Sequence, residues 1–238
     1  MEVNKIYCGD CLEIMPNIPD KSIDMILCDL PYGTTACKWD TIIPFEPLWK
    51  QYKRIIKDNG AIVLTGSEPF SSYLRMSNIK NYKYDWVWNK RISGNPLLAK
   101  HQPLKIHENI CVFSNSKHNY FPIMRKGIMR IKGGGKSNIL NMEMSKSIND
   151  DYYPVSILDF SNAKRGSHPT QKPVALFEYL IKTYTNKGDL VLDNCAGSGT
   201  TGVACKILDR DYILIEKEKK YVEIIKNRLK TIPELLFK

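Results

Sequence analysis

Short apolar runs alternate along this chain with amphipathic stretches. In "IDMILCD", Ile23, Met25, Ile26 and Leu27 predict a strand covered on both faces, as in a parallel sheet. "KIYCGD", "AIVLTGS", "DLVLD" and "RDYILIE" read as strands too, while "YKYDWVWNK" and "ENICVFS" alternate apolar and polar positions. Helical spacing appears in "PFEPLWKQYKRIIKDNG", through Phe45, Leu48, Tyr52, Ile55 and Ile56, with Asn59-Gly60 as its stop. "EPFSSYLRMSNIK", "GTTGVACKILD" and "KKYVEIIKNRLK" read as helices, and "CLEIMPNIP" as a short helix or turn. "VALFEYLIKTYTNKG" is a further helix, with Pro173 at its start and Gly188 at its stop. Strands alternating with helices predict an α/β fold with a doubly wound, mostly parallel sheet.

The pattern fails in two places, 90–107 and 114–167, which are basic, loop-rich and without periodicity. Loops of that length inside a domain are usually functional or disordered. The expected organisation is one domain over 1–238 carrying these two regions.

Charge sharpens the picture. The 238 residues carry a formal charge of +10. Thirteen Lys/Arg face five Asp/Glu between Lys90 and Arg165, which points to a polyanionic partner for the middle third. No apolar run is long enough for a membrane span. The first residues lack the apolar core of a signal peptide, so a cytoplasmic location is expected. Seven scattered cysteines fit reduced thiols. Cys8 and Cys11 form one CxxC without a second pair, and no metal site is predicted.

Two stretches carry candidate chemistry. Asp29 ends its strand at the edge where open α/β sheets bind ligands, and Pro31, Tyr32 and Gly33 follow. Asp, Pro and Gly are also ordinary turn residues, so this stretch alone does not separate site from turn. "LVLDNCAGSGTTGVAC" is a strand, a small-residue turn and a helix, where backbone amides can meet a polar ligand. Gly197, Gly199 and Gly202 formally match a dinucleotide fingerprint, but Asp193 would set a negative charge against a pyrophosphate. Glu216 ends the next strand 17 residues after Gly199, close to the spacing at which an acid takes ribose hydroxyls. "GGGKS" lacks the first glycine of a phosphate-binding loop, Arg130 standing there, and reads as a basic loop.

Taken in order, these motifs resemble the β-class amino-methyltransferases of DNA, over nearly the whole chain. Asp29-Leu30-Pro31-Tyr32 matches the catalytic Asp-Pro-Pro-Tyr, and Asp193 to Gly199 the cofactor loop. "GDCL", "HPTQKP" and "IEKEKKY" match the adenine-contacting turn, the segment before the cofactor helix and the ribose-binding strand end. The resemblance implies a Rossmann-like methyltransferase fold with an inserted basic target-recognition region. It implies S-adenosylmethionine as cofactor, held by Asp10, Cys11, His168, Thr170, Lys172, Asp193, Ala196, Gly197, Ser198, Gly199, Thr200, Thr201, Glu216 and Lys217. Catalysis falls to Asp29, Leu30, Pro31 and Tyr32: the Asp29 carboxylate and Leu30 carbonyl accept the amino N–H bonds, and Tyr32 stacks on the flipped base. DNA contacts fall to Lys90, Arg91, Lys105, Arg125, Lys126, Arg130, Lys132 and Lys136.

The chain departs from the family at Leu30, usually Pro, which puts the rigidity of the turn in question; Pro31 still steers Leu30 toward extended geometry. Asp29 favours N6-adenine over N4-cytosine as target, since Ser tends to mark the cytosine enzymes. A C5-cytosine enzyme is not expected, because those use a nucleophilic Cys after Pro and no Pro-Cys dipeptide occurs. RNA or protein amino-methylation and a DNA-binding relative without catalysis are the other readings. Double-stranded DNA is the expected partner. The family adds a homodimer and a cognate restriction endonuclease or second methyltransferase as further expectations.

Overall fold

The computed structural model describes residues 1–34, 40–132, 135–137, 142–144, 147–162 and 171–232, with backbone alone for those between 131 and 147. The chain begins β1 (Lys5–Cys8), α1 (Cys11–Ile14), β2 (Ile23–Asp29), α2 (Phe45–Ile55), β3 (Ile56–Gly66) and α3 (Phe70–Ser77). It continues with β4 (Tyr82–Asn89), β5 (His107–Phe113), β6 (Arg125–Lys132), β7 (Gly135–Ser137), β8 (Met142–Met144), β9 (Ser147–Tyr152) and β10 (Ile157–Asp159). It closes with α4 (Val174–Tyr184), β11 (Leu190–Asp193), α5 (Thr200–Leu208), β12 (Asp211–Glu216) and α6 (Lys219–Lys230).

Eight strands form one sheet in the order β1-β12-β11-β2-β3-β5-β4-β10. All neighbours are parallel except where β5 meets β3 and β4, so the expected mostly parallel α/β sheet is present. Side chains alternate across each strand. Met25 and Leu27 of β2 join the core under α4, α5 and α6. Ile26 and Cys28 join the opposite core under α1, α2 and α3. The winding direction switches between β2 and β11, which places a ligand crevice beyond their carboxyl ends.

Three sequence expectations need correction. The helix α2 stops at Ile55, not at Asn59-Gly60. Ile56 already pairs with Ile23, and the next pair is Ala61 with Met25, so the polar Lys57–Gly60 stretch bulges from β3. Gly60 serves close approach instead of capping: a Cβ there would stand 2.8 Å from the Asp24 carbonyl oxygen. Gly188 likewise lies beyond the end of α4, in the loop to β11. The stretch read as irregular also contains strands. β10 extends the main sheet by pairing with β4.

Residues Pro122–Val155 form a second compact unit, separate from Met1–Phe121 with Ser156–Lys238. Its β6 and β9 pair antiparallel. Alternation was unreadable there because burial does not discriminate between the two faces: Ile128 is 87% and Met129 64% exposed. The 90–107 region belongs to the first unit, so the second is narrower than the expected 114–167 stretch. Among the described residues, no helix is long and apolar enough to cross a membrane.

Candidate active site

At the carboxyl edge of the sheet a cavity of about 1050 Å3 opens beyond β2 and β11. Asp29 is in register with Thr65 of β3, which brings the two side chains together. The Asp29 Oδ1 atom accepts from the Thr65 hydroxyl and from the Tyr32 hydroxyl at 2.7 Å. Its Oδ2 accepts from Lys172 Nζ at 2.6 Å. The Tyr32 ring stacks on Phe70 with centroids 5.2 Å apart, and Lys172 Nζ stands 5.5 Å from its centre. The turn is tied down from below. Leu30 is only 4% exposed and packs in the core, while Asp40 accepts from the Gly33 and Thr34 amides at 2.9 Å. Burial of Leu30 thus supplies anchoring that a proline would supply through its ring.

The second wall is the turn after β11. Gly199 adopts the left-handed conformation at φ 79° and begins α5, and a Cβ there would strike Ile225 at 2.7 Å. The Gly197 amide donates to Glu216 Oε2 at 2.7 Å, and the Glu218 amide to Oε1 at 2.8 Å. Glu216 therefore faces the cavity with its orientation fixed. Asp10 caps α1 through the Leu12 amide at 2.9 Å and contacts Lys217 Nζ at 3.3 Å. Asp10, Cys11, Asp29 to Tyr32, Lys172, Gly197, Glu216 and Lys217 all line this one cavity.

Comparison with known proteins decides the family. A family model described as DNA methylase matches residues 23–227. This chain is a member of the DNA methylase family. It is 30% identical to the type II methyltransferase M2.MboI of Moraxella bovis over 263 aligned positions, covering 97% of this chain and 89% of that one. It is 29% identical to M.HpaI of Haemophilus parainfluenzae, covering 94% and 74% of the two chains. Among solved structures, the M1.HpyAVI–SAM complex superposes with a TM-score of 0.66 at 28% identity, over 94% of this chain and 99% of that one. The cytosine-N4-specific PvuII DNA methyltransferase reaches a TM-score of 0.70 at 18% identity, over 98% and 89%, a likeness of fold.

Other candidate residues of this DNA methylase sit behind the cavity. Asp193 is 3% exposed and lines a smaller adjoining pocket; its oxygens accept from the Thr201 hydroxyl and, at 3.1 Å, the Cys195 amide. Burial pushes its carboxyl up to about 7. Burial also raises Glu216 above the usual carboxylate range. The Ala196 amide is committed to the Ile215 carbonyl at 2.9 Å. Ser198 faces α6, its hydroxyl accepting from Arg228 at 2.9 Å, and Thr200 and Thr201 are buried. His168 and Thr170 lie outside the described residues.

The basic residues divide. Lys90 is in the cavity wall, bonded to Glu108 at 3.0 Å and largely buried. Lys105 also lines the cavity, donating to Ser67 at 2.5 Å. Arg91 pairs with Asp159 through both carboxylate oxygens, at 2.7 and 2.9 Å. In the second unit Arg125 and Arg130 are exposed, and Lys126 pairs with Asp150 and Asp151. Lys132 and Lys136 have described backbone in β6 and β7, but their side chains fall outside the described part.

Two residues that surround Asp29 and Lys172 escaped the sequence reading. Thr65 had a usable signal, since it follows the apolar run of "AIVLTGS" on the strand beside Asp29. Glu108 had none. It begins β5, and only the antiparallel direction of β5 brings a strand's first residues to the carboxyl edge of the others.

Proposed function

We propose that this DNA methylase transfers the methyl group of S-adenosylmethionine to the N6 amino group of adenine in double-stranded DNA, with the target base turned out of the helix. The observation that carries the reading is the Asp29 carboxylate, held at the wall of the same cavity that Glu216 and the glycine turn line. The residues present fit the cofactor. Glu216 keeps lone pairs for ribose hydroxyls beyond the two amides it accepts, and Asp10 stands near it at the cavity wall. When bound, S-adenosylmethionine supplies an electrophilic methyl group on a sulfonium.

The rest of the chemistry belongs to the chain. An exocyclic amino group is a weak nucleophile because its lone pair is delocalised into the base. An ionised acceptor on one N–H bond favours a more tetrahedral nitrogen and stabilises the positive charge that develops there. Asp29 provides that acceptor, and the Leu30 carbonyl is the second. Tyr32 offers an aromatic surface for an extruded base, as base-flipping enzymes require. The second unit, through Arg125, Lys126, Arg130, Lys132 and Lys136, tracks the phosphate backbone; the log–log salt slope of DNA affinity should fall by about one unit for each phosphate contact removed. The type II names of the relatives motivate a restriction endonuclease of the same target as counterpart.

Labelled S-adenosylmethionine, offered with duplex DNA, RNA and protein and followed by nucleoside analysis, tests the reading. Label in N6-methyladenine of duplex DNA supports it. N4-methylcytosine alone would keep the site and change the base. Label in RNA or protein only would overturn the DNA assignment.

A further inference from the structure

Asp29 is crowded for a group that must receive a substrate. Its Oδ1 already accepts from Tyr32 and Thr65, and its Oδ2 accepts from Lys172 Nζ at 2.6 Å. An incoming amino group therefore competes with an ammonium for Oδ2. Beside that ammonium stands an oxygen in the opposite condition. Glu108 Oε2 lies 3.4 Å from Lys172 Nζ and, among the described residues, is buried without a hydrogen bond. Its partner oxygen Oε1 is held by Lys90 Nζ at 3.0 Å. A buried acceptor without a hydrogen bond is costly. Lys172 would satisfy it by swinging about its side-chain torsions until Nζ reaches the length of a charge-assisted bond to Glu108 and passes out of reach of Asp29 Oδ2.

We infer that Glu108 is a positioning residue that draws Lys172 off Asp29 as the target base arrives, freeing Asp29 Oδ2 for the amino N–H. The inference rests on Asp29 being the amino acceptor. No proton moves and no charge is left alone: Asp29, Glu108, Lys172 and Lys90 are two acids and two bases before and after the shift. The groups around the ammonium are Asp29 from β2, the Tyr32 ring after it, Glu108 from β5 with Lys90 beyond, and Asp193 across the small pocket. Burial alone would lower Lys172, and the Asp29 and Glu108 carboxylates hold it above its ordinary value.

Glu108→Gln tests this, because glutamine keeps the shape and loses the pull. Lys172 then stays on Asp29, and kcat on duplex DNA falls about tenfold to a hundredfold, the loss expected of a misplaced reacting group. Cofactor affinity stays at the native level. With one carboxylate gone, Lys172 loses its proton more easily, so raising the pH from about 7 to about 10 restores part of the variant's rate while leaving the native rate unraised. The double variant Glu108→Gln/Lys172→Met is no slower than Lys172→Met. Native kcat in Glu108→Gln, a rate loss flat with pH, or additive losses in the double variant overturns the inference. If Glu108→Gln lacks a melting transition, the native protein with a cofactor analogue and target duplex decides it. Lys172 Nζ within about 3.0 Å of Glu108 Oε2 supports the shift, and Lys172 still on Asp29 Oδ2 overturns it. Asp29→Ala runs alongside: turnover surviving there rejects the acceptor role itself, whereas turnover lost there with Glu108→Gln fully active rejects only the role of Glu108.

Discussion

Two adjacent parallel strands, β2 and β11, both end in aspartate, and the two carboxylates stand in different surroundings. Asp29 keeps 26% of its side chain exposed, and every side chain that holds it comes from outside its own strand. Asp193 is 3% exposed and turned into its own turn, accepting from the Cys195 amide and Thr201. The difference lies in what surrounds each acid. Asp29 gains cationic and hydroxyl donors and still lines the cavity. Asp193 is desolvated to a carboxyl titrating near 7 and serves as a fastener for the glycine turn. The two patterns, an apolar run ending in Asp, are nearly the same in sequence.

Alanine at each position should separate the roles. Asp29→Ala is expected to lose at least about nine-tenths of methyl transfer per folded molecule, a ΔΔG‡ above roughly 1.4 kcal/mol, with cofactor affinity nearly unchanged. Asp193→Ala is expected to lower stability by about 1–3 kcal/mol, because the buried Thr201 hydroxyl and Cys195 amide lose their acceptor. In a chain of this size that is about 2–4 °C of melting temperature per kcal/mol. Purified variants measured by turnover and thermal melting decide it: equal loss of turnover without loss of stability would erase the contrast. Glu216 belongs with Asp29 as an acid that lines the cavity. Glu216→Ala should weaken S-adenosylmethionine by about 1.5–3 kcal/mol in a calorimetric titration, the worth of hydrogen bonds to a charged acceptor.

The pH response sharpens the contrast further. The folded state holds the Asp193 proton up to about 7, well above the range of an exposed aspartate. Between those values the folded protein binds more protons than the unfolded chain, so the contribution of Asp193 to stability falls as pH rises through the window and is flat above it. The slope it adds is at most about 1.4 kcal/mol per pH unit. Denaturant melts between about pH 4 and pH 8 should show that decline in the native protein and lose it in Asp193→Asn. A decline that persists in the asparagine variant would assign it to another buried acid, with Glu216 first in line, since burial raises it as well.

Sequence pattern carried the sheet edge further than the rest. Buried parallel strands announce themselves as unbroken apolar runs, so the sequence alone puts Asp29, Asp193 and Glu216 at strand ends. Partners were harder to see. Lys172 and Glu108 lie 64 residues apart, and their meeting depends on the direction of β5. The orientation of Asp193 was equally hidden, because its acceptors face Thr201 only once α5 has begun from the left-handed Gly199. The strands of the second unit escaped because exposed Ile128 and Met129 break the link between polarity and burial.

The smallest effects come from removing one hydroxyl on each side of the comparison. Tyr32→Phe keeps the ring on Phe70 and deletes the bond to Asp29 Oδ1, which Thr65 still holds. A hydrogen bond to a charged group is worth about 1.5–3 kcal/mol, and a neutral one about 0.5–1.5. With Thr65 still in place the lower range applies, so kcat should fall about two- to tenfold. The melting temperature should hold. Thr201→Val makes the matching change at Asp193. It leaves a buried carboxyl oxygen without its donor and should lower the melting temperature, with turnover per folded molecule unchanged. The crossed result, a stability loss from Tyr32→Phe and a rate loss from Thr201→Val, would mean that Asp193 and not Asp29 faces the reacting atoms. If Tyr32→Phe proves as damaging as Tyr32→Ala, the hydroxyl bond that aims Asp29 outweighs the stacking surface, and Tyr32 is then chiefly the residue that orients the acid.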